Sequence, residues 1–308
     1  MRKTAIAIVG FGKIAREQHV PAIAGSSAFE LVAIASPSSR MDRVPWYADL
    51  DSLLSELPTV SAIALCTLPQ VRFALAQSGL AAGRHILLEK PPGITVSEVL
   101  LLVELARAKG VALFASWHSR HARAVEPARA WLADKSIRTV TVTWKENVRV
   151  WHPGQKWIWQ AGGLGVFDPG INALSILTRI LPGSLALLDA ELSYPANCET
   201  PIAARLSLTV SGGVPVRAQF DFRHTGTQTW DIEVVTDAGA LVLSMGGTIL
   251  RVDSQIVDLP AAEEYPSLYA HFADLVARRA IDVDVAPLQL VADAFLCGRR
   301  IVVEPFLD

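Results

Sequence analysis

Residues 4–15 read TAIAIVGFGKIA, and this stretch decides the fold of the first part of the chain. Thr4 to Val9 is a short, continuous apolar run, a pattern typical of a parallel strand that is buried on both faces. The next residues, Gly10-Phe11-Gly12-Lys13-Ile14-Ala15, match G-x-G-x-x-G/A, whose glycines permit a tight turn and let backbone N–H groups approach a pyrophosphate. The same match also fits an ordinary glycine-rich turn, so the surrounding pattern has to decide.

The segments that follow alternate between strand and helix patterns. Helices are predicted over 72–82 and 95–109, and strands at Phe29–Ala35, Ala62–Cys66, His85–Leu88 and Ala112–Ala115. Parallel strands end at one edge of a sheet, where such sheets bind ligands, so the glycine turn is expected there together with Ser36, Cys66, Thr67 and Glu89. The pattern predicts an α/β fold that begins with a Rossmann dinucleotide-binding domain over residues 1–119.

The end of the second strand bears on the choice of cofactor. Units that bind NAD usually carry Asp or Glu at this place, where the carboxylate holds the ribose 2′-hydroxyl. Here the place belongs to Ser36, with Ser38 and Arg40 close behind. These side chains could hydrogen-bond a 2′-phosphate, and no carboxylate repels one. We therefore expect NADP to be accepted or preferred, with NAD as the alternative.

After Trp117 and His118 the alternation stops, and residues 120–308 are expected to form a second, α+β domain. Its sheet is predicted to be large and mainly antiparallel, because alternate residues of 214–222 are apolar and one face of that strand is therefore buried. The predicted strands are Thr139–Trp144, Asp189–Tyr194, Ala203–Val210, Val214–Phe222 and Trp230–Thr236. Helices are predicted over Pro266–Arg278 and Pro287–Arg300, and the last one could pack back on the first domain.

An aromatic segment lies between the two patterns. Four of the eight tryptophans fall within residues 144–159, among them Trp151 and Trp159, and polar residues such as Glu146 and His152 stand between them. Indole faces suit the C–H face of a pyranose ring while polar neighbours bind its hydroxyls. A subunit interface or a cluster that packs a loop explains the same composition, so both interpretations stay open.

Two further stretches place polar groups at fixed points. In GGLGVFDPGINALSI, Asp168 and Asn172 are four residues apart and would share one face of a helix, although Asp168 also suits a helix N-cap. In LLEKPPG, Lys90 follows the end of a strand and precedes two prolines that fix the backbone. One of these X-Pro bonds is expected to be cis. The alternative for Lys90 is an ordinary surface lysine.

Composition excludes several classes of function. The chain has 308 residues, too many for one ordinary core, and its formal net charge of −2 without a dense basic run argues against nucleic-acid binding. No uncharged apolar run reaches the roughly 18 residues of a membrane-spanning helix. The apolar run near the N-terminus is too short for a signal peptide, and three scattered cysteines suit a reducing compartment, so a cytoplasmic protein is expected. His118 and His121 lack a third ligand at metal-site spacing, so no metal is expected.

The glycine turn, the Glu-Lys-Pro stop and the Gly-Gly…Asp helix together resemble the family of glucose–fructose oxidoreductases and inositol dehydrogenases. The segments GKIAREQHVPAI, FASWHSR and WHPGQKWIW bring the chain closest to the branch of that family that oxidises sugars at C1. The resemblance implies a Rossmann domain and an open-faced sheet domain, with cofactor and sugar in the cleft between them. It also implies a homodimer or a homotetramer.

The same resemblance assigns roles to residues. Glu89, Lys90 and Pro91 carry the family's Glu-Lys-Pro motif. Glu89 and Lys90 are expected to contact the cofactor, and Lys90 is also expected to stabilise negative charge on the sugar O1 beside the nicotinamide. Asp168 would accept the O1 proton or orient Lys90. Asn172 stands where the family usually has a histidine, which leaves the base open, and it would bind a neighbouring hydroxyl. Further sugar contacts are expected from His118, Glu146, Trp151, His152 and Trp159, while Trp117 either packs on the cofactor or caps its domain.

The reaction that the resemblance implies is NAD(P)-dependent oxidation of D-galactose, and of L-arabinose, at C1 to the lactone. The two sugars share their configuration from C1 to C4 and differ by a hydroxymethyl group at C5. The alternatives are a related oxidoreductase that acts on another sugar or polyol such as an inositol, and a cofactor-binding regulator without turnover.

Overall fold

The computed structural model describes residues 3–307, which divide into two compact units. Unit 1 consists of the described residues up to His118 together with Glu263–Val285. Unit 2 consists of Ser119–Ala262 and the described residues from Ala286 onward. A short 3₁₀ turn, His118–His121, stands at the first crossing of the chain from one unit to the other.

Unit 1 is built on a parallel sheet. Within the described residues it has seven strands, and each pairs in parallel with its neighbours. Their order across the sheet is Ile281–Asp282, Leu113–Ser116, His85–Glu89, Ala62–Leu65, Thr4–Val9, Phe29–Ala35 and Trp46–Tyr47. The central strands are almost fully buried, as continuous apolar runs in a parallel sheet should be. The predicted Rossmann sheet is confirmed.

Helices cover both faces of this sheet, and each face has its own hydrophobic core. The helices of unit 1 are Ala15–His19, a π-helical turn that continues into Val20–Gly25, then Leu50–Glu56, Pro69–Ala81, Val96–Lys109 and Glu264–Arg278. The last of these comes from far along the chain, yet its residues Tyr269 and Phe272 pack on Phe29. Val96–Lys109 begins with a complete capping box between Thr95 and Glu98 and ends at Gly110 in the left-handed region, which explains its sharp ends.

Unit 2 is built on a mixed sheet in which most pairs are antiparallel. In the described part of the chain it has nine strands. Their order is Gln255–Ile256, Ile249–Val252, Gly239–Ser244, Thr229–Thr236, Ile137–Lys145, Val214–Asp221, Ala203–Val210, Leu185–Pro195 and Arg299–Val303. Two pairs are parallel: Val214–Asp221 with Ile137–Lys145, and Arg299–Val303 with Leu185–Pro195. The expectation of a mainly antiparallel sheet is confirmed.

One face of the sheet in unit 2 is covered and the other is open. Val216, Ala218 and Phe220 are buried, whereas Arg217 and Gln219 between them are exposed, as the sequence alternation predicts. A Cβ atom on Gly170 would lie 2.9 Å from the ring of Phe220, so a glycine lets this helix approach the covered face. The helices of unit 2 are Val125–Leu132, Val148–Trp151, Lys156–Trp159, Phe167–Ile180, Met245–Gly247 and Ala286–Cys297, of which the third and the fifth are 3₁₀ turns.

One predicted element is wrong at its end. The helix expected over Pro287–Arg300 stops at Cys297, and Arg299–Val303 forms an edge strand of the sheet in unit 2. Gly298 interrupts the helix, and the β-branched run Ile301-Val302-Val303 favours a strand once a partner strand is available. The helix that joins unit 1 is Glu264–Arg278, whereas Ala286–Cys297 belongs to unit 2. No helix among residues 3–307 combines the length and the apolar character that crossing a membrane requires.

Candidate active site

The glycine turn lies where the sequence predicts it, at the carboxyl edge of the sheet in unit 1. Gly10 has a φ of +86°, and a Cβ atom there would stand 2.8–2.9 Å from Thr67 and the Cys66 backbone. Only glycine fits this position without displacing its neighbours. A Cβ atom on Gly12, by contrast, would have no protein atom within 4 Å. The chain's own packing therefore does not require a glycine at Gly12, although close approach of a ligand would.

Two buried hydroxyl groups at this edge support the same interpretation. The Oγ atoms of Thr67 and Ser116 are buried and have no hydrogen-bond partner among the described residues. Both lie at strand ends, Thr67 just beyond Ala62–Leu65 and Ser116 as the last residue of Leu113–Ser116. Native structures seldom leave such groups without partners unless a ligand or water supplies one. The residues present at this edge therefore fit a dinucleotide.

The segment after the second strand carries the residues that we relate to the choice between NAD and NADP. The carbonyl of Ser36 accepts a hydrogen bond of 2.9 Å from the indole of Trp46. The guanidinium of Arg40 lies 4.0 Å from the centre of the same indole ring, a cation–π contact that holds it beside this strand end. Ser38 is exposed between them. No acidic side chain stands at Ser36, where an NAD-binding unit usually has one.

Glu89 ends its strand inside a buried hydrogen-bond network. One carboxylate oxygen accepts from His19 at 3.1 Å and from the hydroxyl of Tyr265 at 2.7 Å, and the other accepts from the Lys90 backbone N–H at 2.7 Å. The second ring nitrogen of His19 lies 2.8 Å from the hydroxyl of Tyr269. Glu89 is 3% exposed and His19 is fully buried. Through this network Glu89 fixes the backbone of Lys90.

The charges of this network stabilise each other. Burial alone would lower the pKa of His19, but the Cys66 sulfur and the Glu89 carboxylate raise that pKa to about 10. Burial would likewise raise the pKa of Glu89, but hydrogen bonds and charge from His19, with smaller contributions from His118 and Tyr265, lower it to about 2. At neutral pH the two side chains therefore form a buried ion pair.

Arg72 holds the backbone on both sides of Lys90. It projects from the helix Pro69–Ala81 and is 2% exposed. Its guanidinium donates to the carbonyls of Glu89, at 2.5 Å, and of Pro91, and also to the carbonyl of Thr67. The peptide bond between Lys90 and Pro91 is cis, which confirms the expected cis X-Pro bond. The backbone around Lys90 is thus bound by the Glu89 carboxylate and by the Arg72 guanidinium.

His118 and Trp117 lie close to the same strand ends. His118 contacts the Glu264 carboxylate at 2.5 Å and stacks on the ring of Tyr265. Burial alone would lower the pKa of His118, but the carboxylates of Glu264 and Glu89 raise it, against an opposing effect of Lys90. Trp117 is buried, and its indole donates to the Asp284 carbonyl at 2.9 Å. This bond fixes the indole inside unit 1, as the domain-capping alternative requires.

In unit 2, the imidazole of His152 contacts the carboxylates of both Glu146 and Asp168, three residues that the sequence analysis names. The imidazole of His152 lies 3.1 Å from the carboxylate of Glu146 through Nε2 and 3.6 Å from that of Asp168 through Nδ1. The second oxygen of Glu146 accepts a hydrogen bond of 2.9 Å from the indole of Trp230. Glu146 and Asp168 are buried at 2% and 4% exposure. Two carboxylates thus bracket one imidazole, an arrangement that can hold and move a proton.

The helix Phe167–Ile180 carries Asp168, one of the two carboxylates that contact His152. Asp168 and Asn172 both lie on it, as predicted. Asp168 is not the N-cap, because the cap position is Val166, two residues earlier. The N-cap alternative is therefore wrong. Asn172 is half-buried one turn further along the helix, and its carbonyl accepts a hydrogen bond from Ser175.

The tryptophans of the aromatic segment divide into two groups. Trp151 is 39% exposed and lies against Trp230, which in turn stacks on the buried Trp144. Trp159 packs instead between the rings of Phe222 and Phe306. The first group leaves Trp151 partly exposed and contacts Glu146 through Trp230, which is compatible with sugar stacking, whereas the second resembles a cluster that packs a loop. Both interpretations of the segment therefore have a counterpart in the structure.

Several residues of these networks carry no signal in the sequence. His19, Arg72 and Tyr269 look like ordinary helix residues, because their partners, apart from the Thr67 carbonyl five positions from Arg72, lie 17 to 250 positions away along the chain. Trp230 was a detectable candidate, since a large aromatic residue opens a predicted strand directly after a polar turn. Among residues 3–307, no group of three or more His, Cys, Asp or Glu side chains is placed to hold a metal ion.

The fold of unit 1 and its glycine turn define an oxidoreductase with an NAD-binding Rossmann domain. Residues 4–116 match the family model described as "Oxidoreductase family, NAD-binding Rossmann fold". Galactose 1-dehydrogenase of Pseudomonas fluorescens is 45% identical over 308 residues, which cover 100% of both chains. The chain belongs to the Gfo/Idh/MocA oxidoreductase family.

Solved structures agree with this assignment. The D-galactose-1-dehydrogenase protein from Rhizobium etli superposes with a TM-score of 0.96 at 51% identity, and the match covers 100% of this chain and 99% of that one. KijD10, a 3-ketoreductase from Actinomadura kijaniata in complex with NADP, superposes with a TM-score of 0.85 at 20% identity, covering 98% of this chain and 100% of that one. The second likeness shows the shared fold.

Proposed function

We propose that the chain is an NAD(P)-dependent dehydrogenase that oxidises D-galactose at C1 to the lactone and accepts L-arabinose as a second substrate. The observation that carries the proposal is that Glu146, His152 and Asp168 lie together and that Glu146 also binds Trp230, which packs on the partly exposed Trp151, because polar and aromatic groups in one place suit a sugar. The two galactose 1-dehydrogenases at 45% and 51% identity support the choice of sugar. L-Arabinose is included because it shares the configuration of C1 to C4.

The proposal gives the cofactor-side residues these roles. The turn Gly10–Ile14 holds the pyrophosphate, and Ser36, Ser38 and Arg40 hold the 2′-phosphate of NADP, which we expect to be accepted or preferred. When bound, the nicotinamide supplies the acceptor for the hydride that leaves C1. Lys90 donates a hydrogen bond to O1 and stabilises its developing negative charge. Glu89 and Arg72 keep Lys90 in place, since a displacement of about 1 Å can cost roughly a hundredfold in rate.

The sugar-side residues handle the proton and the hydroxyl groups. Asp168 accepts the O1 proton as the C1–O1 bond becomes a carbonyl, and His152, 3.6 Å from it, orients the carboxylate. Glu146 fixes the ring of His152 from the other side. Asn172 binds a hydroxyl next to O1, since an amide can donate and accept hydrogen bonds but cannot take up the proton. Trp151 offers its indole face to the pyranose ring, and His118 and Trp159 complete the proposed sugar contacts.

The proposal also covers assembly and location. We propose a homodimer or homotetramer that forms through the open face of the sheet in unit 2, where charged pairs such as Arg205–Glu191 line the surface. We further propose a cytoplasmic location, in line with three free cysteines. Light scattering coupled to gel filtration tests the first point, with a monomer at micromolar concentration as the contrary result. Cell fractionation tests the second.

Turnover of a panel of aldoses and polyols with NAD and with NADP tests the substrate. We expect reduced cofactor to form with D-galactose and L-arabinose, with the lactone as product. Turnover of inositol or glucose without turnover of either expected sugar would contradict the proposal. Lys90→Met should lose at least a hundredfold in kcat, whereas Lys109→Met, a matched change on an exposed helix end, should behave like the wild type.

A further inference from the structure

Residues 304–307, here called the 304–307 strap, continue from the edge strand Arg299–Val303 and are fixed by side chains of unit 2. Asn197 binds the backbone of Phe306 on both sides: its amide oxygen accepts from the Phe306 N–H at 2.9 Å, and its amide nitrogen donates to the Phe306 carbonyl at 2.7 Å. Arg149 donates to the carbonyl of Leu307 at 2.5 Å. A peptide held by three hydrogen bonds has one defined position, so the side chain of Phe306 is aimed in one direction.

The ring of Phe306 contacts both ends of the segment 148–159, which carries three of the proposed sugar-side residues. Its centre lies 4.9 Å from the centre of the Trp159 ring and 4.7 Å from the guanidinium carbon of Arg149. Trp159 then packs on Phe222, whose ring lies 5.3 Å from that of His152. A continuous row of ring contacts therefore leads from the strap to the imidazole between Glu146 and Asp168.

The segment 148–159 contains only short elements of secondary structure. It consists of a four-residue helix, Val148–Trp151, and a 3₁₀ turn, Lys156–Trp159, joined through Gly154 in the left-handed region. Most of its residues are exposed or half-buried. Short, mostly exposed turns open locally at low cost, so the position of this segment depends on the side chains packed against it.

We propose that Phe306 is a positioning residue of the sugar site, which acts through Trp159 and Arg149 and holds the segment 148–159 in its binding conformation. The proposal rests on the proposed function for the nature of the ligand. Phe306 itself does not touch the sugar. Its removal affects sugar affinity, because the indole of Trp159 and the ring of His152 lose their support.

The test compares two neighbouring variants of the full-length enzyme. Phe306→Ala removes the ring and leaves the backbone bonds to Asn197 and Arg149 intact. Its KM for D-galactose should rise about tenfold, roughly the loss expected for one aromatic contact and one cation–π contact, while the KM for the cofactor changes less than twofold. Leu307→Ala is the matched control, because that side chain is 74% exposed, and it should keep both constants within twofold of the wild type. Phe306→Tyr should restore the wild-type KM.

Hydrogen exchange gives a second readout that does not depend on turnover. Amides of 148–159 should exchange at least fivefold faster in Phe306→Ala than in Leu307→Ala, with no change in unit 1. An unchanged KM for the sugar, or equal exchange in the two variants, would overturn the inference. If the wild type oxidises neither D-galactose nor L-arabinose, the proposed function fails. The exchange experiment, together with the KM of whichever sugar is turned over, then still decides the role of Phe306.

Discussion

The buried pair His19–Glu89 should dominate the pH dependence of folding stability in unit 1. The pKa of Glu89 is lowered from 4.5 to about 2, so its contribution is present above pH 4.5 and is lost as the pH falls toward 2. The pKa of His19 is raised from 6.5 to about 10, so its contribution is complete below pH 6.5 and is lost as the pH rises toward 10. The stabilisation from the pair is therefore greatest between pH 4.5 and 6.5.

The size of the effect follows from the same values. Lowering the pKa of Glu89 from 4.5 to about 2 corresponds to about 3 kcal/mol of folding free energy. The change at His19 corresponds to about 5 kcal/mol, but part of it comes from Cys66 rather than from Glu89. The free energies from Glu89 and from His19 describe the same ion pair, so they are not added. The smaller one, from Glu89, is used for the pair because it does not include the effect of Cys66. We therefore expect the pair to contribute about 3 kcal/mol near pH 6.

Urea unfolding at pH 6 and at pH 9.5 measures this contribution. Between these pH values the wild type should lose about 3 kcal/mol more of its free energy of unfolding than His19→Gln, because the variant has no imidazolium to lose. His271→Gln is the control, since its pair with Asp282 lies on the surface and contributes little, and it should follow the wild type. Equal losses in the wild type and His19→Gln would refute the assignment of a charged His19.

Four further substitutions test the cofactor side of the site. Gly12→Ala should leave the Tm unchanged, because its Cβ meets no protein atom, but should weaken cofactor binding at least tenfold; an unchanged affinity in cofactor titrations would contradict the fit of a dinucleotide. Gly10→Ala should instead lower the free energy of unfolding by about 1–3 kcal/mol through backbone strain and contact with neighbouring atoms. Arg72→Lys should lower kcat roughly tenfold or more, because an ammonium cannot hold three carbonyls as the guanidinium fork does, and single-turnover rates equal to the wild type would exclude a positioning role. Arg40→Ala should raise the Kd for NADP about tenfold and that for NAD less than twofold, and equal effects on both would show that Arg40 does not bind the 2′-phosphate.

Local patterns were enough to predict most of the fold. The strands Thr4–Val9, Phe29–Ala35 and Ala203–Val210 begin and end where the sequence predicts, because apolar runs and alternation report burial directly. The edge strand Arg299–Val303 was missed, because the preceding helix pattern runs into it and its partner strand is more than 100 residues away. Contacts at such distances leave no periodic signal in the local sequence.

In the candidate site, too, residues with a local sequence signal are predicted and residues that depend on distant contacts are not. The glycine turn, Lys90 and Asp168 stand out because glycine, proline and helix spacing constrain the local backbone. The residues that support them do not, since His19 and Arg72 meet Glu89 only after the sheet of unit 1 has formed. Sequence analysis therefore identifies the groups proposed to do chemistry more readily than those that fix their geometry.

Transfer of a labelled hydride shows which carbon of the sugar is oxidised. With D-galactose carrying deuterium at C1 as the substrate, we expect the label to appear at C4 of the reduced nicotinamide, the product to be the unlabelled lactone, and single-turnover oxidation to be slowed severalfold. Reduced cofactor without deuterium, or label retained at C1 of the product, would contradict oxidation at that carbon.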